Sequence, residues 1–361
     1  MQDLLESSLI KHIRTHGPIP FDQFMEASLY HPEWGYYESG PSRIGRLGDF
    51  QTSVTVGPLF GNLLAEQFLE WSGDQVPAQW LECGAHHGQL AEDILQNLRQ
   101  RENQRIPEIK YLILEPSEKR RQHQQKRLAP YGDSVAWVPS WKEARQQFNQ
   151  GVIFSNELLD AFPVKRYAWN KQAASWVEYW VDHDGSAFRW IQQAPKTPFH
   201  IPWLSSEALG QLEAFLPDQY VVEWSPKAED WWKDASETLE AGYLMTIDYG
   251  FVETDRLAAH RTQGSLRAYH AHRSSNALLE HVGQQDITAH VDFPSLRHVG
   301  EASGLCTLDL VSQESFLHRC FEQALQKGMK PSTEQLRQLQ TLIHPEHFGR
   351  AFKALIQKRG L

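Results

Sequence analysis

The sequence predicts an α/β fold built on a mostly parallel sheet covered on both faces, and three observations carry that reading. Strand-sized apolar runs at residues 80–83, 111–114, 135–138, 152–154 and 244–247 alternate with helical stretches near 89–99, 117–128 and 231–240, the pattern of βαβ units. A turn containing Gly84 and Gly88 joins the first run to the first of these helices. The 361 residues are 41% apolar and 22% charged, the balance of a globular chain with a sizeable core.

In chain order, the first 30 residues read as two helices. The first sets Leu4, Leu5, Leu9, Ile10 and Ile13 on its apolar side, Gly17-Pro18 breaks it, and Asp22 is placed to cap the second. Residues 31–37 form a turn, and residues 40–52 hold Gly40, Pro41, Gly45 and Gly48, a breaker-rich loop able to cover a site. Helical period returns over residues 58–71. Between the fourth and fifth apolar runs, residues 164–222 change to Trp- and Tyr-rich strand pieces at 175–181 and 187–191, then a helix over 205–215. This stretch reads as an insertion. Its Trp169, Trp176, Trp180 and Trp190 suit core packing or a protein interface, and Gln122 to Gln125 read as a solvated helix face. The expected division is a helical segment with a lid loop over 1–75, a core over 76–163 and 221–361, and a substrate-handling α+β subdomain over 164–220.

Composition excludes several functions. With 35 basic and 45 acidic residues the net charge is −10, the wrong sign for broad phosphate binding, so nucleic acid is not the expected partner. No apolar run reaches the roughly 20 residues of a membrane span. Cys83, Cys306 and Cys320 form no C-x-x-C pair, which argues against a thiolate metal site or disulfide scaffold and for a reducing cytoplasm. The start of the chain lacks the apolar run of a secretory signal. His86-His87 and the H-x-x-H of His344 and His347 lack the companions a metal site needs, so no metal is expected.

The chemistry concentrates at three strand ends. At Glu82-Cys83-Gly84-Ala85-His86-His87-Gly88 a ligand can approach the glycine backbone while helix N–H groups meet a carboxylate. The spacing E-x-G-x-x-x-G differs from the dinucleotide signature and has no Walker lysine, which disfavours a nicotinamide dehydrogenase. It is nearer to the first motif of Rossmann-like S-adenosylmethionine (SAM) methyltransferases. Glu115 ends the second run, where an acid can accept both ribose hydroxyls or cap the following helix. Asn156, Glu157 and Asp160 follow the fourth run, two carboxylates and an amide where a cap needs fewer. An arginine guanidinium stays protonated and is a poor nucleophile until carboxylates orient it. Asp248, after the fifth run, is expected near the same rim.

The ordered motifs Trp34-Gly35-Tyr36-Tyr37, Gly48-Asp49-Phe50-Gln51-Thr52-Ser53, Phe60-Gly61, residues 82–90, Leu114-Glu115-Pro116-Ser117, Ser155-Asn156-Glu157-Leu158-Leu159-Asp160-Ala161-Phe162-Pro163-Val164, Ile247-Asp248-Tyr249-Gly250, Gly264-Ser265-Leu266-Arg267-Ala268-Tyr269 and residues 285–293 span nearly the whole chain. Together they resemble the MidA-like SAM-dependent methyltransferases, whose mitochondrial members are arginine methyltransferases that assist respiratory complex I assembly. The resemblance implies a Rossmann-like class I methyltransferase core with a helical N-terminal segment and an inserted α+β subdomain. It implies SAM as cofactor, carried onto Gly84, Gly88 and Glu115, with Glu82, His86 and Asn156 as further candidate cofactor-binding residues, and an arginine-containing protein as acceptor. It makes Glu157, Asp160 and Asp49 candidate catalytic residues, and Asp49 and Thr52 candidate lid or acceptor contacts. It leaves Gly264 and the stretch from Asp286 to Asp292 open between structure and substrate contact. Two departures stand out: His86 occupies the central glycine of Gly-Pro-Gly-x-Gly, and Thr55 replaces the acid of Thr-Ser-Pro-Glu. They motivate a second reading, a degenerate homologue serving as a non-catalytic binding or assembly module.

Overall fold

The computed structural model describes residues 2–38, 52–73, 77–100, 108–258, 261–270 and 273–360. The chain forms two compact units. The first comprises Met1–Phe50, Leu159–Trp231 and Gly250–Val299, and the second Gln51–Leu158, Trp232–Tyr249 and Gly300–Leu361. The N-terminal helices therefore share a unit with the insertion and with residues 250–299, a grouping with boundaries other than those at 75, 163 and 220.

The second unit is built on one sheet. Its strands are β1 (Ala78–Cys83), β2 (Ile109–Leu114), β3 (Val135–Val138), β4 (Gln150–Asn156), β5 (Ala241–Phe251), β6 (Cys306–Ser312) and β7 (Phe352–Arg359). They lie in the order β3-β2-β1-β4-β5-β7-β6. Pairings from β3 through β5 are parallel, and β7 runs antiparallel to both β5 and β6. Strand alternation sends Trp80, Tyr111, Val152, Phe154 and Met245 to one face, where they pack with Phe60, Leu64 and Phe68 of the helix Leu59–Ser72. Leu81, Leu112, Ile153 and Leu244 point the other way and are equally buried, so both faces are covered as a parallel sheet requires. The five expected strands are present. The last two were not anticipated, because β6 mixes Thr307 and Asp309 into its run and carries a register shift.

The first unit contains the helices Gln2–His16 and Phe21–Tyr30 and two antiparallel sheets. Leu5, Leu9 and Ile13 are buried as expected, but Leu4 is half exposed. Asp22 is not a cap: Pro20 precedes the helix, and Asp22 sits in its first turn, 3.3 Å from Lys165 Nζ. Ile19 and Pro20 pair with Val181 and Trp180 of the strand Ser175–His183, which ties the N-terminal segment to the insertion by backbone hydrogen bonds. Trp169 meets Trp176, and Trp176 meets Phe199, in tilted ring contacts, and all three belong to one core cluster with Tyr220 and Trp224, so core packing accounts for both tryptophans. Trp180 is also buried.

Two of the positions left open have structural roles in this unit. A Cβ on Gly264, at φ +73°, would stand 2.0 Å from Glu223 Oε1, and Glu223 accepts the N–H and hydroxyl of Ser265. Asp292 pairs with Arg256 at 2.6 Å and accepts hydrogen bonds from the Ser295 hydroxyl and N–H.

Candidate active site

Gly84, His86 and Gly88 all adopt positive φ, at +78°, +46° and +77°. The turn they make closes with Gly88 N–H donating to Ala85 O, and Gly88 then opens the helix Gln89–Arg99. A Cβ on Gly84 would meet Leu158 Cδ1 at 2.7 Å, so the glycine lets the end of β1 approach the end of β4. The first N–H groups of a helix have no intrahelical partners, and with the dipole they favour an anion. His86 holds a backbone conformation that glycine adopts without cost. Its half-buried ring packs 3.8 Å from that of His87. Burial, then the neighbouring His87, Arg120 and Arg127, push its pKa down to about 3, so it is neutral near pH 7.

Glu115 follows β2 and is buried. Its Oε1 accepts from Ser117 N–H at 2.9 Å and Arg120 Nε at 3.0 Å, and its Oε2 accepts from Gln124 Nε2 at 3.1 Å. The same Gln124 amide donates to His86 O at 2.9 Å, while its oxygen accepts from Trp137 Nε1. Gln124 is fully buried. This corrects the expectation of a solvated face, which holds for Gln122 and Gln125. The signal lay in the spacing of Arg120, Gln124 and Leu128, one stripe of a helix.

Glu82 lies beneath the turn. Tyr111 Oη donates to its Oε2 at 2.6 Å. Burial raises the Glu82 pKa to about 7, against the lowering effect of that bond. Asp93, held by Gln89 Nε2 at 2.9 Å, is raised to about 6, mainly by burial.

At the end of β4, Glu157 has φ +50°. Its N–H donates to Ile247 O, and its Oε1 accepts from Ser53 N–H at 2.9 Å and Asn156 Nδ2 at 3.0 Å. Asn156 Oδ1 is buried with no hydrogen-bond partner among the described residues. Asp248, fully buried, accepts from Leu158 N–H and Tyr249 N–H. Thr52 and Thr55 form a reciprocal capping box at the start of the helix Ser53–Val56, which sequence reasoning missed although T-x-x-E in the family pattern is itself such a box. Asp160 belongs to the first unit and is buried there. Asp49 lies outside the described residues. Thus Glu82, Gly84, His86, Gly88, Glu115, Asn156 and Glu157 fall within one unit, around the ends of β1, β2 and β4.

A family model described as "Putative S-adenosyl-L-methionine-dependent methyltransferase" matches residues 60–311. The chain belongs to that family. The methyltransferase is 27% identical to the protein arginine methyltransferase NDUFAF7 homolog, mitochondrial, of Drosophila melanogaster, over 98% of this chain and 85% of that one. It is 26% identical to the Homo sapiens protein arginine methyltransferase NDUFAF7, mitochondrial, covering 95% and 81%. Among solved structures, a Burkholderia thailandensis protein bound to S-adenosyl-homocysteine matches with a TM-score of 0.84 and 30% identity, over 99% of this chain and 92% of that one. The sheet described above is the Rossmann-like methyltransferase core. Among the described residues of the methyltransferase, no helix is long and apolar enough to cross a membrane.

The groups at the three strand ends fit the cofactor class of this family. The start of the helix Gln89–Arg99 suits the amino-acid carboxylate, the buried Asn156 Oδ1 is an acceptor for an ammonium, and Glu115 is a buried carboxylate just past the end of β2, an acceptor type that suits hydroxyls.

Proposed function

We propose that this methyltransferase transfers a methyl group from SAM to an arginine guanidinium of a protein substrate. The observation that carries the reading is backbone strain. Within the second unit, His86 and Glu157 are the two non-glycine residues with positive φ among the described residues, and such strain clusters where function demands it. The relatives named as arginine methyltransferases support the choice of acceptor.

In this reading the turn from Gly84 to Gly88 and the acid Glu115 hold the nucleoside, Asn156 Oδ1 receives the amino group, and Glu82 keeps the turn in place through Tyr111. SAM supplies an electrophilic methyl on a sulfonium and leaves as the neutral thioether. Glu157 accepts N–H groups of the guanidinium, which fixes the direction of the attacking nitrogen. As that nitrogen gains its bond to carbon it sheds a proton, and Glu157 is the carboxylate assigned to receive it; Asp160, in the first unit, and Asp49 are separate catalytic candidates. The insertion, residues 164–220 of the first unit, is assigned to substrate handling. A cytoplasmic setting belongs to the same proposal, supported by Cys83, Cys306 and Cys320 all being free thiols.

Calorimetric titration with S-adenosylhomocysteine is the first test, and absence of binding at millimolar ligand overturns the reading. A methyl-transfer assay on native extract follows. Glu157→Ala and Asp160→Ala are each expected to lower turnover about 100-fold, whereas unchanged turnover in both removes the catalytic assignment. The second reading, a non-catalytic module, is favoured by His86 at a strained glycine position. It predicts that S-adenosylhomocysteine binds only after His86→Gly.

A further inference from the structure

Four of the sequence motifs meet in the first unit, on one face of the small sheet formed by Arg267–His270, Arg273–Ser275 and Asp286–Thr288. Alternation sorts the side chains. Ile287 and its partner Ala268 enter the core with Leu5, Phe24 and Tyr36. Asp286 and Thr288 therefore point to the opposite face, together with their cross-strand partners Tyr269 and Arg267. Tyr37 Oη donates to Asp286 Oδ1 at 2.8 Å. Tyr30 stacks on Tyr37 with ring centroids 5.4 Å apart, and its hydroxyl donates to Ala161 O. Ala289 N–H donates to Asp160 O at 2.8 Å, which fixes Asp160 to the end of the same strand.

Tyr30, Tyr37 and Tyr269 are half-buried, whereas Asp286 and Asp160 are buried. Burial, then the charges of Asp286, Tyr30 and Asp160, hold the Tyr37 hydroxyl well above its ordinary range, so it stays protonated as a donor. On the same face Thr288 is 4% exposed and its Oγ1 has no hydrogen-bond partner among the described residues. A buried hydroxyl without a partner costs free energy unless something meets it.

From this arrangement we infer that the face bearing Tyr37, Tyr269, Asp286, Thr288 and Asp160 is the subsite that receives a guanidinium side chain of the protein substrate. The inference rests on the arginine methyltransferase reading and deepens it. Aromatic faces attract a cation and stack best on a planar one. Asp286 and Asp160 compensate its charge, and Thr288 Oγ1 accepts one of its N–H groups. Arg267 stands at the exposed edge of the face with its Nη1 bonded to Leu266 O, where its charge repels a second cation and limits the subsite to one.

The test uses the full chain and three probes, N-acetyl-arginine amide, the matching lysine amide and the neutral citrulline amide, followed by ligand-observed NMR. S-adenosylhomocysteine binding is measured in parallel by calorimetry. Arginine amide should bind more tightly than the other two. Asp286→Asn should weaken it about tenfold, Asp286→Glu should recover part of that loss, and S-adenosylhomocysteine affinity should stay unchanged in both. Thr288→Val provides a second variant that leaves the Tyr37–Asp286 hydrogen bond in place, and it should weaken arginine amide alone. Equal binding of the three amides, no binding of arginine amide, or equal affinity in wild type, Asp286→Asn and Thr288→Val overturns the subsite. Loss of S-adenosylhomocysteine binding in the wild type would instead overturn the proposed function.

Discussion

His86 and Glu157 show how much a single residue carries. A non-glycine side chain at φ near +50° costs of order 1 kcal/mol, and both lie just past strand ends, His86 after β1 and Glu157 after β4. Replacing His86 with glycine should leave folding stability within about 1 kcal/mol, since relieved strain offsets the greater freedom of the unfolded chain; chemical denaturation measures this. The ionisable groups give opposite pH slopes. The His86 pKa is about 3 folded against 6.5 ordinarily, so the unfolded chain takes the proton first. Its stabilisation is complete above pH 6.5 and is lost as pH falls toward 3. Glu82 has a folded pKa of about 7 against 4.5, so its contribution is complete below pH 4.5 and lost as pH rises through 7. Glu82→Gln keeps an acceptor for Tyr111 and should raise stability at pH 8 by up to about 3 kcal/mol, with a flatter dependence of Tm on pH between 6.5 and 8, above the range in which His86 titrates. A steeper dependence would contradict the assignment. Both sites were visible in the sequence as motif positions, but burial, which sets these pKa values, was not.

At the scale of elements, the strand-helix alternation was legible because parallel strands buried on both faces give unbroken apolar runs, as at Leu112-Ile113-Leu114 and Ile153-Phe154. The strands β6 and β7 were less legible because polar residues interrupt the first and charged residues end the second. The short helix Ser53–Val56 shows why the loss of an acid at Thr55 is not loss of a cap: Thr55 Oγ1 accepts from Thr52 N–H while Thr52 Oγ1 accepts from Thr55 N–H. Thr52→Ala should cost about 1 kcal/mol, measured by urea unfolding. Thr55→Glu restores the family's box and should change stability by only a few tenths of a kcal/mol. If Thr55→Glu also raises methyl transfer, the missing acid acts on the acceptor; if turnover is unchanged, capping accounts for it. Glu157 gains from this helix as well, because Ser53 N–H at its start holds the carboxylate.

For the whole molecule, a ligand that binds only the folded state raises stability by about 2.7 kcal/mol at a hundred times its dissociation constant. S-adenosylhomocysteine should therefore shift Tm upward with concentration, and a Tm independent of the ligand would count against cofactor binding. The net charge of −10 also gains a use, since a cationic substrate should associate more slowly as salt rises. The sequence by itself determined the core class, the order of its first five strands along the chain, the turn from Gly84 to Gly88, and the acids after β2 and β4, because periodicity and turn chemistry are local. Only the tertiary structure decided which distant segments share a unit, that Gln124 is a buried bridge between Glu115 and His86 O, and that Tyr37, Asp286 and Thr288 share a face. Those facts depend on strand register and helix packing between residues up to 249 positions apart, and no local window of sequence encodes them.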